Sequence, residues 1–214
     1  MEINWYGYSC FRLVERGMAS VVTDPFDHRE AGLNALKLKA DIVTISRNLS
    51  AHNYVAAVKP DPYVISGPGE YEVGGVFITA IETNGGTRAD PEVRNILSLI
   101  DIDGMTVAHL GAMKKTPSQA QVEALGPVNV ALVPVGGSDA MSAAKAAEVI
   151  NLLEPNIVIP MHYAIPGAKI NLDPLSKFLK EMGLSSIETE DSLKITGKSS
   201  LPEETRVVIL NCKN

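Results

Sequence analysis

Thr44-Ile45-Ser46-Arg47-Asn48-Leu49-Ser50-Ala51-His52-Asn53 is the stretch on which the fold turns. The apolar run 41–45 that enters it reads as a buried strand, and the Ala/Val-rich run 52–58 that leaves it reads as a helix. In sheets flanked by helices, the crevice beyond a strand's carboxyl end is where ligands bind.

Working outward, runs 3–7, 10–14 and 20–23 have strand character, the last ending at the turn signal Asp24-Pro25. Asp24 is read as capping that turn, with a hydrogen bond to a site residue as the alternative. Past the opening stretch, run 63–66 is a strand. Gly67-Pro68-Gly69-Glu70-Tyr71 is a rigid loop without the Gly-Lys-Ser/Thr ending of a phosphate loop, and run 76–81 is a strand. Runs 95–102 and 105–109 flank Asp103-Gly104, a strong hairpin signal. Thr116-Pro117-Ser118-Gln119 predicts a helix start with Thr116 as N-cap, ending near Gly126. Strand 130–135, helix 142–153, strand 157–160 and helix 174–182 alternate, Gly183 stopping the last helix. Short strands are expected near Ile187, at 193–196 and at 206–210. Strands first, helices interleaved later, suit two packed sheets with helices outside.

No Pro/Gly/Ser-rich linker divides the 214 residues, so one domain over 1–214 is expected. At 45% apolar and 21% charged the chain can bury a sizeable core. Its net charge of −6, with scattered basic residues, argues against nucleic-acid binding. Neither a bilayer-spanning run nor a signal-like leader is present, which argues against a membrane partner. Cys10 and Cys212 are the only cysteines and read as reduced thiols. A soluble, cytoplasmic protein is the expectation, with a homodimer through sheet edges or Ala/Met-rich helix faces left open.

The motif order resembles the metallo-β-lactamase superfamily. Trp5-Tyr6-Gly7-Tyr8-Ser9-Cys10-Phe11 is similar to the Gly-His-Ser opening of the branch that holds ascorbate-6-phosphate lactonase and other small metal-dependent hydrolases. Thr23-Asp24-Pro25, His109-Leu110-Gly111, Pro134-Val135-Gly136-Gly137 and Ile159-Pro160-Met161-His162-Tyr163 resemble later motifs in the same order. The resemblance spans nearly the whole chain and implies an α+β fold, a four-layer αβ/βα sandwich. It also implies zinc or manganese at His-x-His-x-Asp-His, where this chain has Arg47, Leu49, Ala51 and His52. A further histidine maps to Asn84, the shared aspartate to Ala112 and the accessory opening histidine to Tyr8. His52 and His162 are the residual ligands.

Two imidazoles without a carboxylate fall short of the roughly three protein ligands of a catalytic zinc. Arg47, a permanent cation, would repel a divalent ion nearby. The resemblance thus implies a hydrolase framework that has lost catalysis, needs no metal cofactor and serves a binding or regulatory role. The alternative is a hydrolase of a small lactone or phosphorylated substrate with an atypical or single-metal zinc or manganese site. Arg47, Asn48, His52, Asn84, His162 and Tyr8 form the candidate cleft for a carboxylate or phosphate, and a protein partner is the other expectation. Equally, Arg47 points to water or pairs with a carboxylate such as Glu70, and the two histidines serve local packing. His109 reads as structural and His28 as exposed. No Gly-x-Ser-x-Gly elbow is present, and Ser46 and Ser50 near His52 give a Ser-His closeness in sequence only.

Overall fold

In a computed structural model that describes residues 1–83, 94–138 and 140–214, two sheets are assembled from thirteen strands. The first takes β1 (Glu2–Trp5), β2 (Phe11–Val14), β3 (Val21–Thr23), β4 (Ile42–Thr44) and β5 (Tyr63–Ile65). The second takes β6 (Gly69–Val73), β7 (Val76–Thr83), β8 (Asn95–Ile102), β9 (Met105–His109), β10 (Val130–Pro134) and β11 (Ile157–Met161). β12 (Leu193–Lys194) joins the first sheet beside β1, and β13 (Arg206–Val207) joins the second beside β11. The outer strands at the other ends are β5 and β6.

Each sheet is antiparallel in its hairpin part and parallel where the chain crosses over. β1, β2 and β3 run antiparallel, then β4 and β5 lie parallel to β3. Likewise β6 to β9 form a meander, and β10, β11 and β13 continue parallel to β9. In the β8–β9 hairpin, Asp103 and Gly104 sit at φ 54° and 73° as an inward-twisting two-residue turn requires, and Asp101 accepts the Gly104 N–H at 2.8 Å.

Side-chain alternation explains the layering. Val21 and Ile42 lie in one large apolar cluster shared with Ile78, Leu97, Ile100, Val107, Leu132 and Ile159 of the second sheet. Their neighbours Val22 and Val43 face the opposite way, into a second cluster with Phe26, Ala31, Leu38 and Val58. Both faces of the first sheet are therefore buried. α1 (His28–Ala31) supplies Ala31 to the second cluster. α2 (Gln119–Leu125), α3 (Ala143–Leu153) and α4 (Leu175–Glu181) add Leu125, Ala146, Val149, Ile150 and Phe178 to the large one. The expected four-layer α+β sandwich is the architecture found.

Local expectations needed correction in several places. Run 52–58 is not an α-helix: it holds only a 3-10 turn at Val55–Ala57, and Val58–Lys59 pairs in parallel with Leu38–Lys39. β-branched Val55 and Val58, with Pro60 two residues beyond, favour that outcome. Gly67–Tyr71 was expected as a loop, yet from Gly69 onward it is β6, turned back onto β7 by Gly74 and Gly75 at φ 55° and 81°. α2 is capped by Ser118, not Thr116: Ser118 and Gln121 exchange side-chain and backbone hydrogen bonds in a full capping box. The strand expected near Ile187 starts at Thr189, pairing with Ile209–Leu210. No helix among the described residues is long and apolar enough to cross a membrane.

Candidate functional site

The carboxyl ends of the parallel strands converge, as the crevice rule requires. Asp24 follows β3, Ser46 follows β4, His109 ends β9 and His162 follows β11, while Tyr8 and Ser9 come from the turn between β1 and β2. Three of these turn through the left-handed region without being glycine: Tyr8 at φ 46°, Asp24 at 40° and His162 at 53°. Such conformations each cost of order 1–3 kcal/mol and persist only where surrounding contacts impose them. The His162 N–H donates to Tyr8 O at 3.1 Å, and Trp5 Nε1 donates to the same oxygen at 3.0 Å.

Asp24 is the hub, a correction to its reading as a turn cap. Fully buried, it accepts from the Ser46 N–H at 2.7 Å, from Ser46 Oγ at 2.5 Å and from His52 Nδ1 at 2.8 Å. Burial alone would raise its pKa, but His52, with His109 and Ser46 behind it, outweighs that and holds the carboxyl below its ordinary value. With Nδ1 donating to a carboxylate, which can only accept, His52 Nε2 is left buried and without a partner. The Ser46–His52 closeness noted in the sequence is not a nucleophile pair, since Ser46 Oγ lies 2.5 Å from Asp24 but 3.5 Å from the ring. The two residual ligands do meet: the His52 and His162 rings stack with centroids 5.6 Å apart and planes 23° apart. His162 Nδ1 lies 3.4 Å from Ser9 Oγ.

Tyr8 is fully buried, its hydroxyl donating to Ala31 O at 2.6 Å and its ring edge-on to Phe26, with the His162 ring 5.9 Å away. It packs behind the histidines rather than lining an opening. His109 is buried as well, its Nε2 2.9 Å from Ser9 O, and desolvation lowers its pKa. Cys10 is buried and its thiol is pushed well up by burial, an environment unsuited to a nucleophile. Both cysteines are free, Cys212 only partly buried. His28, expected to be exposed, is half-buried beside Asp27 at 3.6 Å.

Where the resemblance places a bridging aspartate, Ala112 lies fully buried, its N–H given to Asn95 Oδ1 at 2.7 Å. Asn95 Nδ2 donates to Thr83 Oγ1 at 2.7 Å and Leu110 O at 3.0 Å, so this one side chain knits β7, β8 and the turn after β9. Gly111 makes that possible: at φ 61°, an added Cβ would stand 2.4 Å from Ser46 Cβ and 2.5 Å from Asn95 Oδ1. Asn84 lies outside the described residues.

Beside this buried network opens a cleft of about 490 Å³. Arg47 and Asn48 line it, joined by Asn53, Ser66, Ile45 and Ile96. Arg94 lines it too and was missed by sequence reading, because a charged residue just ahead of a strand resembles any solvent-facing arginine. Its Nη2 pairs with Glu82 at 2.8 Å, and its Nε is buried without a partner. The Ile96 N–H donates to Ser46 O at 2.8 Å, which ties the segment carrying Arg94 to the segment carrying Arg47. The cleft thus lies beside, not within, the His52–His162 pair.

The sequence profile of the beta-lactamase superfamily domain matches residues 2–162. The chain belongs to that superfamily. A crystal structure from Thermotoga maritima, of a protein assigned as a Zn-dependent hydrolase of the metallo-beta-lactamase superfamily, is 37% identical. It aligns over 98% of this chain and 97% of its own, with a TM-score of 0.79. A UPF0173 protein of Pyrococcus furiosus is 29% identical over 85% of this chain and 90% of its own length. A UPF0173 metal-dependent hydrolase of Thermococcus kodakarensis is 26% identical over 76% and 84%. Similarity to hydrolases bearing this superfamily's fold makes a test of the metal centre the decisive issue. His52 and His162 supply two donors, while Asp24 is engaged by His52 and Ser46. Among the described residues no three His, Cys, Asp or Glu side chains are grouped to hold an ion. The described donor set does not fit the superfamily's two-metal centre.

Proposed function

We propose that this chain keeps the metallo-β-lactamase framework of metal-dependent hydrolases but works as a binding or regulatory protein, without catalysis at the metal site. The observation that carries the reading is the donor set: two stacked histidines, a carboxylate already satisfied by Ser46 and His52, and, in sequence, an arginine where the superfamily's motif has its first histidine. About three protein ligands hold a catalytic zinc, and a cation a few ångströms away opposes a divalent ion. The ligand on this reading is a small anion in the cleft beside Arg47, or a protein partner meeting the same surface.

A second reading has one specific support. His52 Nε2, buried and without a partner among the described residues, is the bare acceptor a single metal would use, and the Thermococcus kodakarensis relative is named a metal-dependent hydrolase. On that reading the substrate is a small lactone or phosphorylated compound. Metal content after dialysis against zinc and manganese decides between them. Content far below one ion per chain supports the binding protein. Near-stoichiometric metal that disappears in a His52→Ala, His162→Ala double variant overturns it.

A further inference from the structure

We propose that the cleft beside the buried histidines is a phosphate site, built by Arg47 and Arg94, for a small phosphorylated molecule with an apolar body. The proposal rests on the reading above that this region binds rather than hydrolyses.

Three observations carry it. The two guanidiniums come from different sheets, Arg47 beyond the end of β4 and Arg94 ahead of β8. The Ile96–Ser46 hydrogen bond fastens those segments together, so the arginines are held by backbone and not by flexible loops alone. A guanidinium has five N–H donors; the Arg94 Nη2 pairs with Glu82, and Nε is buried and meets no partner among the described residues. The Arg94–Glu82 pair leaves further Arg94 donors for the cleft.

The class of anion follows from shape. A carboxylate is planar and offers one edge, which a single arginine fork satisfies. Two forks arriving from separate sheets suit an anion with acceptor oxygens in more than one plane, as a tetrahedral phosphate has. Asn53 and Ser66 add neutral polar groups to the wall, and Ile45 and Ile96 add an apolar part. A volume of about 490 Å³ lies within the range of small-molecule sites and exceeds what a bare ion needs.

The test is calorimetric titration of the full chain with inorganic phosphate, phenyl phosphate and benzoate, each with and without EDTA. Expected are phenyl phosphate binding at least tenfold tighter than either inorganic phosphate or benzoate, and no change with EDTA. Arg47→Gln and Arg94→Gln are each expected to weaken phenyl phosphate at least tenfold. Arg206→Gln, which removes an exposed cation paired with Glu190 away from the cleft, is expected to leave it unchanged. Thermal melts of all variants confirm folding, and the half-exposed Arg94–Glu82 pair is worth too little for its loss to unfold the chain. No binding, benzoate binding as tightly as phenyl phosphate, or unchanged binding in both cleft variants overturns the phosphate site. An equal loss in Arg206→Gln overturns it also, by reducing the effect to general charge. Binding abolished by EDTA overturns instead the underlying reading, because the anion then sits on a metal.

Discussion

Asp24→Asn is expected to destabilise the protein by about 2–4 kcal/mol, a value worked from three hydrogen bonds. The wild-type carboxylate receives the Ser46 N–H, the Ser46 hydroxyl and the His52 Nδ1–H at 2.7, 2.5 and 2.8 Å. Bonds to a buried charged group contribute about 1.5–3 kcal/mol each, against about 1 for neutral ones. The amide keeps the shape and one acceptor oxygen but presents an NH2 group where another oxygen stood. With its oxygen kept toward His52 and Ser46 Oγ, the amide turns its NH2 against the Ser46 N–H, donor against donor; flipped, it turns the NH2 against His52 Nδ1–H, unless His52 moves its proton to Nε2. For a chain of this size, about 2–4 °C per kcal/mol gives a fall in Tm of roughly 5–15 °C. Urea unfolding with a shared slope measures the free energy, and Ser46→Ala with the double variant measures the coupling. Because Ser46→Ala removes one of the same bonds, the two changes should be less than additive. A loss under about 0.5 kcal/mol for Asp24→Asn, the scale of a surface substitution, would refute the claim that Asp24 organises this site.

Gly111→Ala is expected to cost at least about 3 kcal/mol, since the new Cβ overlaps Ser46 and Asn95 at a positive φ. Soluble yield and Tm report it, and a variant as stable as wild type would mean the two segments are not in contact. His109 gives a pH prediction. Its folded pKa is depressed by burial from 6.5, so its contribution is fully present above pH 6.5 and is lost as pH falls from there toward the folded value. Unfolding free energy measured from pH 8 to 5.5 should therefore decline, by up to about 1.4 kcal/mol per pH unit from this group. His109→Gln should flatten that decline, and an unchanged slope would assign it elsewhere.

The sequence carried the architecture further than the site. Alternating apolar runs, the Asp103-Gly104 turn and the glycine stops located strands and helices, because burial and turn chemistry are local properties. Where neighbours decide, the reading faltered: 52–58 lost its helix to pairing with Leu38–Lys39, and Gly69 joined a strand only because Gly74 and Gly75 fold it onto β7. Asp24 shows the same limit in the site. In sequence Thr-Asp-Pro is a turn, and nothing nearby announces Ser46 and His52, 22 and 28 residues on. Arg47 stood out only because a ligand position was expected there. Arg94 had no such frame, and only the meeting of two sheets puts it in the same cleft.

The outermost strand of the seven-stranded sheet has a bearing on how crowded molecules behave. Among the described residues β6 leaves one row of backbone N–H and C=O groups unpaired, the kind of rail along which copies can stack into fibres. Its sequence is Gly69-Glu70-Tyr71-Glu72-Val73, with both glutamates exposed. Two rails meeting antiparallel about Tyr71 would set Glu70 of each opposite Glu72 of the other, so every such encounter faces two pairs of like charges at neutral pH. The strand that closes the sheet also keeps it from growing.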